Sequence, residues 1–330
     1  MLKNRFFLIL LAVILSLAAC TGKPAAVPDP LPSPGAVTSA AAEPELPETL
    51  ALTILHTNDL HGVLGNVPKY AAIISQVRLE EENVLLLDGG DLYRRGKYQR
   101  FAGAAETEIF NAMKYDAVAF GNNDFPLNNR ELSDVSEHTI VKMAEFPILC
   151  ANVTDNGEYV QGFDPFMVRE FNGVRVAVIG LTSMKPAERG FDIARSLTFT
   201  DPVRSLREIL PSVQNVSDVQ IVLSHAGYDT DMRMRGVSAV IGADSHTKLS
   251  SPAAVNDNGR LIPVVQAGGE DDHYLGRLDL HFIKTDGVWV LDWYEGYLFT
   301  LDDVSPDPGI QAIIDKYDEM LAAGVTQIAA

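Results

Sequence analysis

The chain has 330 residues, of which 44 are acidic and 26 are basic, so its formal net charge is −18 at pH 7. A hydrophobic fraction of 47% with 21% charged residues excludes a wholly disordered chain and a multi-span membrane protein. The negative charge also argues against nonspecific coating of nucleic acid, which needs a basic surface, so an anionic substrate must meet a local positive centre such as a metal ion.

The first nineteen residues have the layout of a secretory signal. Lys3 and Arg5 precede an apolar run over 6–17, which is too short to span a bilayer comfortably. Residues 17–20, Leu-Ala-Ala-Cys, resemble the lipobox of bacterial lipoproteins, in which the cysteine is lipidated and becomes the mature N-terminus. We therefore predict export and a lipid anchor at Cys20 on a bacterial membrane, facing the periplasm or the cell exterior. The alternative is an uncleaved anchor, or an ordinary signal peptide with a chance cysteine.

Composition divides the rest of the chain into a tether and a globular body. Residues 20–49 contain seven prolines, much alanine and no aromatic residue, so they cannot bury a core and are predicted to form an extended tether. No linker rich in proline or glycine interrupts residues 50–304, which we interpret as one domain. Residues 305–330 are predicted to form a C-terminal helix and tail. With Cys20 and Cys150 as the two cysteines, no disulfide framework is expected.

From residue 50 the pattern alternates short apolar strands with helical stretches. Strands are predicted over 50–55, 84–87 and 117–120, and helices over 69–82 and 101–113. This βαβαβ order predicts a sheet with crossover helices.

The second half of the body has more strand than helix. Strands are predicted over 174–179, 221–223 and 237–241, and the hairpin signals are Asn172-Gly173, Asn258-Gly259 and Asp286-Gly287. We expect a second, mostly antiparallel sheet that packs on the first. A last helix is predicted to start at Ser305-Pro306-Asp307-Pro308 and to run through Ile314 to Leu321.

Side chains of metal-ligand type follow five of the predicted strands. The strings are Asp59-Leu60-His61, Asp88-Gly89-Gly90-Asp91, Gly121-Asn122-Asn123-Asp124, Ser224-His225 and Gly242-Ala243-Asp244-Ser245-His246. Loops at one edge of an α/β sheet point into one crevice, so oxygen and nitrogen donors at successive strand ends suit a metal cluster. One such string alone is more often a capped turn, but five in register argue against coincidence.

The order and spacing of these motifs resemble the 5'-nucleotidase family. The resemblance rests on Ile-Leu-His-Thr-Asn-Asp-x-His-Gly at 54–62, Gly90-Asp91, Gly121-Asn122, Ser224-His225, Ser245-His246-Thr247, Gln266-Ala267-Gly268 and Tyr274-Leu275-Gly276-Arg277-Leu278. Within that family it is to the calcineurin-like metallophosphatase domain, and it covers nearly all of residues 50–304. The family's C-terminal nucleotide-binding domain is expected to be absent. The resemblance implies a four-layer α/β/β/α sandwich, with two metal ions at the strand ends and a metal-held water that attacks phosphorus.

The resemblance also implies a ligand set for two divalent ions. One ion is assigned to Asp59, His61 and His246, the second to Asn122, His225 and Asp244, and Asp91 bridges them. A bridging carboxylate keeps two cations about 3.5–4 Å apart and lowers the pKa of the water between them. Asp244 stands where the family usually has histidine, which makes the second site richer in oxygen. Mn²⁺ or Mg²⁺ is therefore favoured there, and Zn²⁺ or Fe at the first site.

The sequence departs from the family at the catalytic position. The family motif Gly-Asn-His followed by an acidic residue here contains Asn123 in place of the catalytic histidine, and Pro126 replaces the aspartate that commonly supports that histidine. An amide can donate a hydrogen bond to a phosphoryl oxygen, but it cannot deliver a proton to a departing alkoxide. General-acid assistance is worth about 10²–10⁴-fold. We therefore expect reduced activity on poor leaving groups.

Two classes of function stay open. The first is an exported, lipid-anchored, metal-dependent phosphoesterase that acts on nucleotides or other small phosphate esters. The second is a metal-binding surface lipoprotein on the same fold whose turnover has decayed. Arg94 and Arg95, just past Asp91, are candidates to bind a substrate phosphate, with a solvated loop as the alternative. The oligomeric state is left open.

Overall fold

The computed structural model describes residues 48–125, 139–269 and 272–325. The predicted signal peptide, Cys20, the tether up to residue 47 and Pro126 lie outside these ranges. Within them, no helix combines the length and the apolar character needed to cross a membrane.

The strands follow the apolar segments of the sequence closely. In chain order they are β1 (Thr49–Thr57), β2 (Val84–Asp88), β3 (Ala117–Ala119), β4 (Ile148–Leu149), β5 (Val153–Asp155), β6 (Glu158–Tyr159), β7 (Phe166–Phe171), β8 (Val174–Thr182), β9 (Thr198–Phe199), β10 (Val219–His225), β11 (Ala239–Ile241), β12 (Ala253–Asp257), β13 (Arg260–Val265), β14 (Gly268–Gly269), β15 (Asp272–His273), β16 (Gly276–Thr285) and β17 (Val288–Leu298). All the strands predicted from the sequence are present.

The helices lie between these strands and after the last of them. They are α1 (Val67–Glu80), α2 (Ala104–Met113), α3 (Thr139–Met143), α4 (Lys185–Glu188), α5 (Pro202–Gln214), α6 (Tyr228–Asp231) and α7 (Pro308–Ala322). The helix predicted over 101–113 begins only at Ala104, because Gly103 precedes it with a left-handed φ of 91° and residues Gln99–Phe101 form a short 3-10 helix. The C-terminal helix is confirmed, and the side chain of Asp307 caps it by accepting a hydrogen bond from Ile310 N.

The first sheet has six strands in the order β17-β16-β1-β2-β3-β4. Strands β1 to β4 pair in parallel, with Leu55 opposite Leu86, so their carboxyl ends share one edge. The hairpin of β16 and β17 turns at Asp286-Gly287 and pairs antiparallel with β1. The last hairpin of the chain therefore completes the first sheet.

The second sheet has the order β12-β13-β11-β10-β8-β7. The expectation that it is mostly antiparallel is wrong: β8, β10, β11 and β13 pair in parallel, and only the edge strands β7 and β12 are antiparallel. These edge strands belong to the hairpins predicted at Asn172-Gly173 and Asn258-Gly259. The nearly continuous apolar character of β8 is typical of a parallel strand that is buried on both faces.

Three apolar cores separate four layers, which confirms the predicted α/β/β/α sandwich. The first core lies between the first sheet and helices α1, α2 and α7, and includes Leu86, Phe110 and Tyr317. The second core lies between the two sheets, where Leu52 and Val178 are buried. The third core lies between the second sheet and α5. The parallel strands are thereby held with their carboxyl ends at a common edge.

Candidate metal centre

The candidate ligands lie at the carboxyl ends of parallel strands in both sheets. Asp59 and His61 follow β1, Asp91 follows β2, Asn122 and Asn123 follow β3, His225 ends β10, and Asp244 and His246 follow β11. The two sheet edges meet, since Nε2 of His225 is 3.3 Å from Oδ2 of Asp91. The structure thus brings together residues that the sequence analysis selected from five separate strings.

Five of the seven candidate ligands have a left-handed backbone. Their φ angles are 52° at Asp59, 47° at His61, 59° at Asp91, 72° at Asp244 and 53° at His246. This conformation is unfavourable for residues other than glycine, although aspartate, asparagine and histidine adopt it more readily than most. Hydrogen bonds from Asp59 N to Gly90 O and from His61 N to Asp91 O, both 2.9 Å, hold the turn after β1. The tight turns let side chains two positions apart point into the same space.

Asp59, His61 and His246 form one group of converging donor atoms. The Nε2 atoms of His61 and His246 are 3.3 Å apart, and Nε2 of His246 is 3.4 Å from Oδ1 of Asp59. Asp59 is held by hydrogen bonds from Asn58 Nδ2 at 2.7 Å and from the backbone amide of Asp244 at 2.9 Å. The group therefore joins a loop of the first sheet to a loop of the second.

Asp59, Asp91 and His225 form a second group. Nδ1 of His225 donates to the carbonyl of Gly89 at 2.7 Å, which directs Nε2 toward the carboxylates of Asp91 at 3.3 Å and Asp59 at 4.0 Å. Oδ2 of Asp91 is also 3.7 Å from Nε2 of His61. Asp91 therefore stands between the two groups, and Asp59 reaches both.

Asp244 and Asn122 lie beside the second group. Oδ1 of Asp244 is 3.6 Å from Nε2 of His225. The amide nitrogen of Asn122 is 2.8 Å from the same oxygen in the orientation that satisfies both amide atoms. Lys185 forms an ion pair with this oxygen as well, at 2.5 Å. Sequence reasoning did not select Lys185.

The buried acids and imidazoles of the site shift the pKa values of one another. Burial alone would raise the pKa of Asp91, but His225, His61 and the hydrogen bond from Asn123 hold it below its usual range. Burial alone would lower the pKa of His225, but Asp91, with Asp59, raises it well above the usual value. Burial lowers the pKa of His61. In the absence of a metal, the proton on His225 thus balances the charge of Asp91.

Residues 121–124, which follow β3, hold Asp91 through hydrogen bonds. The backbone amide and the side-chain Nδ2 of Asn123 donate to the two oxygens of Asp91, at 2.7 and 2.6 Å. The Asp124 carboxylate accepts hydrogen bonds from the backbone amides of Asp91, Leu92 and Gly121. Burial and the charge of Asp91 raise the pKa of Asp124 to about 7. Asn123, which we predicted to face the substrate, therefore also fixes the carboxylate between the two groups.

Asn58 and Gln266 connect the loops that carry the ligands. Oδ1 of Asn58 accepts from Ala267 N at 2.8 Å. Gln266 donates to the carbonyl of Ala243 and accepts from the Ser245 hydroxyl, both at 2.9 Å. Both residues lie in the strings that carry the family resemblance, but no role was assigned to either. Their partners could not be identified from spacing, since Asn58 and Ala267 are 209 residues apart.

A polar cavity of about 240 Å³ opens onto the site. The described residues that line it are all polar or charged: Asp91, Arg95, Asn122, Asn123, Lys185, Arg189, Asp244, Ser245 and His246. Two larger cavities, of about 630 and 540 Å³, are lined by none of the candidate ligands. Side-chain chemistry, and not volume, therefore distinguishes this cavity.

The two arginines selected from the sequence have different surroundings. Arg95 lines the cavity, whereas the guanidinium of Arg94 donates to the carbonyl of Phe125 at 2.9 Å, and Arg94 is not among the lining residues. Lys185 and Arg189, from α4 and the residue after it, add two further cations. Sequence reasoning missed both, because α4 approaches the site only through the packing of the second sheet on the first.

The donor set fits divalent metal ions. Nε2 of His225 is fully buried and, among the described residues, has no hydrogen-bond partner, although carboxylate oxygens surround it. Nitrogen and carboxylate donors facing one point are what Zn²⁺, Mn²⁺ and Fe bind. The carboxylates of Asp59, Asp91 and Asp244 all face His225 Nε2, at 4.0, 3.3 and 3.6 Å, so they bring several negative charges to one place.

Comparison with known families gives the class of protein. The sequence model of the calcineurin-like phosphoesterase family matches residues 52–251. The chain therefore belongs to this family, and the match includes all seven candidate ligands. The resemblance to the metallophosphatase domain is confirmed.

The relatives are nucleotide-cleaving enzymes by name. The human 5'-nucleotidase is 30% identical over 81% of this chain and 52% of its own length. The trifunctional nucleotide phosphoesterase protein YfkN of Bacillus subtilis is 30% identical over 70% of this chain and 18% of its length. Among solved structures, the 5'-nucleotidase precursor from Thermus thermophilus has a TM-score of 0.72 at 26% identity, over 83% of this chain and 59% of that chain.

The chain spans about half the length of most of the curated 5'-nucleotidases it matches. The shared part is the metallophosphatase fold with its ligand loops. The activity and substrates of the longer proteins are therefore not transferred to this chain by similarity alone.

Proposed function

We propose that this protein is an exported, metal-dependent phosphoesterase that hydrolyses nucleotides or other small phosphate esters. The observation that carries the proposal is the cluster of ligand-type side chains beside a cavity that four of them (Asp91, Asn122, Asp244 and His246) line together with three basic residues. Carboxylates and imidazoles bind the cations, and basic side chains bind a phosphate.

Seven side chains would hold two ions. Asp59, His61 and His246 would bind the first, Asn122, His225 and Asp244 the second, and Asp91 would be shared. The position of Asp91 Oδ2, 3.7 Å from His61 and 3.3 Å from His225, supports the shared role. When bound, two such ions activate the attacking water and neutralise the charge of the phosphoryl group.

The protein's own residues orient the phosphoryl group. Arg95, Lys185 and Arg189 provide cationic contacts on the cavity wall. Asn123 fixes Asp91 and presents an amide to the cavity, but it has no acidic proton to give to a leaving group. None of the described lining residues is Phe, Tyr or Trp, and the polar and cationic lining suits a phosphate better than it suits a nucleobase, which binds by stacking.

A hydrolysis assay with an Asp91→Asn control tests the activity. Purified protein with added Mn²⁺ is given an activated aryl phosphate diester and a panel of nucleotides. We expect turnover by the wild type and a loss of more than about 10²-fold in the variant, since even residues that merely support metal ligands are worth about 10–100-fold. If metal-replete wild type matches the variant on every substrate, the protein is instead a metal-binding lipoprotein without turnover.

Export and anchoring are part of the same proposal. The charged start, the short apolar run and the Leu-Ala-Ala-Cys string support a lipid on Cys20. Cys20→Ser, or treatment with globomycin, is expected to block processing and to shift the protein in membrane fractionation. Unchanged processing and unchanged fractionation would contradict the anchor.

A further inference from the structure

The ion pair of Lys185 with Asp244 lies at the candidate site, with the Lys185 side chain 34% exposed. Nζ of Lys185 is 2.5 Å from Oδ1 of Asp244, and the Asp244 side chain is only 7% exposed. Lys185 begins α4, directly after the loop that follows β8, while Asp244 follows β11. The pair therefore joins two loops of the second sheet at the edge where the ligands converge.

The ammonium group of Lys185 competes for an oxygen that the second metal ion needs. The same Oδ1 of Asp244 is 3.6 Å from Nε2 of His225 and 2.8 Å from the amide nitrogen of Asn122. These three side chains are the ones assigned to the second ion. A fixed cation this close to a ligand oxygen repels an incoming divalent ion, and partial burial strengthens the repulsion.

The first group of ligands has a different environment. Its carboxylate, Asp59, receives hydrogen bonds from Asn58 and from the backbone amide of Asp244. These are neutral donors that orient a carboxylate without cancelling its charge. The charge of Arg95 also acts on His61 of this group. At the second position, by contrast, a lysine pairs directly with a ligand oxygen.

We propose that Lys185 occupies the place of the second cation until a divalent ion displaces it, so that the two ions bind in sequence. The first ion binds at Asp59, His61 and His246, and the second binds more weakly because it must separate Lys185 from Asp244. The inference rests on the proposed metal assignment.

When a metal ion displaces Lys185 from Asp244, the lysine stays beside the cavity, where it can contact a phosphate. Lys185 and Arg189 are four residues apart and line the same cavity, so both remain next to the space that a phosphate would occupy. A lysine released from Asp244 adds its charge to that of Arg189. Occupation of the second site would then also prepare the cavity for an anion.

Metal titration in the absence of substrate tests the inference. Mn²⁺ binding to metal-free full-length protein is followed by calorimetry and by electron paramagnetic resonance of free Mn²⁺. For the wild type we expect two affinities, one tight and one weaker. Lys185→Met is expected to tighten the weaker site at least about tenfold and to leave the tight site unchanged. Lys185→Arg, which keeps the charge, should retain the weak second site.

A surface pair supplies the matched control. Lys284 pairs with Glu48 at 2.9 Å, far from the ligands in the fold, so Lys284→Met should change neither affinity.

Two equal affinities in the wild type, or an unchanged second affinity in Lys185→Met, would overturn the inference. Circular dichroism of each variant verifies folding, and Lys185→Arg gives a second comparison if Lys185→Met is unstable. Sequential binding by a protein without turnover would reject the proposed activity and leave this inference standing.

Discussion

At the scale of single residues, the backbone and the side chains of the site depend on each other. Left-handed φ angles at Asp59, His61 and Asp91 turn the chain sharply out of β1 and β2. Gly90, also left-handed, approaches Ala119 and Gly121 so closely that a Cβ atom would lie 2.6 Å from the Ala119 carbonyl oxygen. The ligands can therefore converge only because neighbouring positions accept unusual backbone geometry.

Asn123 is the residue whose chemistry differs most from the family pattern. Its amide donates to Asp91 at 2.6 Å, and its side chain is half-buried at the cavity wall. We predict that Asn123→His raises turnover on alkyl esters such as nucleoside monophosphates, by up to about 10²-fold, because an imidazole can protonate the leaving group. Activated aryl esters need no such assistance and should change little. Steady-state rates on both classes of ester measure the difference.

Asn123→Ala is the control for that prediction. It removes the hydrogen bond to Asp91 without adding a proton donor, so any effect that it shares with Asn123→His comes from Asp91. Equal changes of Asn123→His on good and poor leaving groups would mean that another residue supplies the proton.

At the scale of secondary-structure elements, local patterns predicted most of the sandwich. Alternating and continuous apolar runs identified the strands, and Asn-Gly or Asp-Gly turns identified the three hairpins at 172, 258 and 286. The ligand strings were found because parallel strands place their following loops at one edge. Their geometric convergence is observed, while their assignment to metal ions stays a prediction.

Long-range pairing accounts for what the sequence analysis got wrong or missed. The β16–β17 hairpin returns to β1, with Leu280 opposite Leu52, and nothing local in either segment specifies that partner. The parallel pairing of β8 with β10 depends on the crossover through α5, which covers the outer face of the second sheet. Lys185 meets Asp244 across 59 residues for the same reason. Spacing within a motif carries no signal for such contacts.

At the scale of the whole molecule, the metal centre lies where the two sheets meet. Asp59 and Asp91 come from the first sheet, and His225, Asp244 and His246 come from the second. Bound cations would therefore link the sheets, in a chain whose net charge of −18 already opposes compaction. Metal binding should then contribute to global stability as well as to activity.

We predict that Mn²⁺ raises the melting temperature and that the rise grows with pH. A ligand at 100 times its Kd adds about 2.7 kcal/mol, which corresponds to about 5–10 °C in a domain of this size. The raised pKa of His225 means that the metal-free fold keeps a stabilising proton at low pH and loses it as the pH rises through that pKa. The metal must displace this proton, so the rise should be smaller at about pH 5.5 than at about pH 7.5. Differential scanning calorimetry with and without EDTA measures this rise in melting temperature. Asp91→Asn is the control, and it should show little rise at either pH. A larger rise at the lower pH would contradict the assignment of His225 as a ligand.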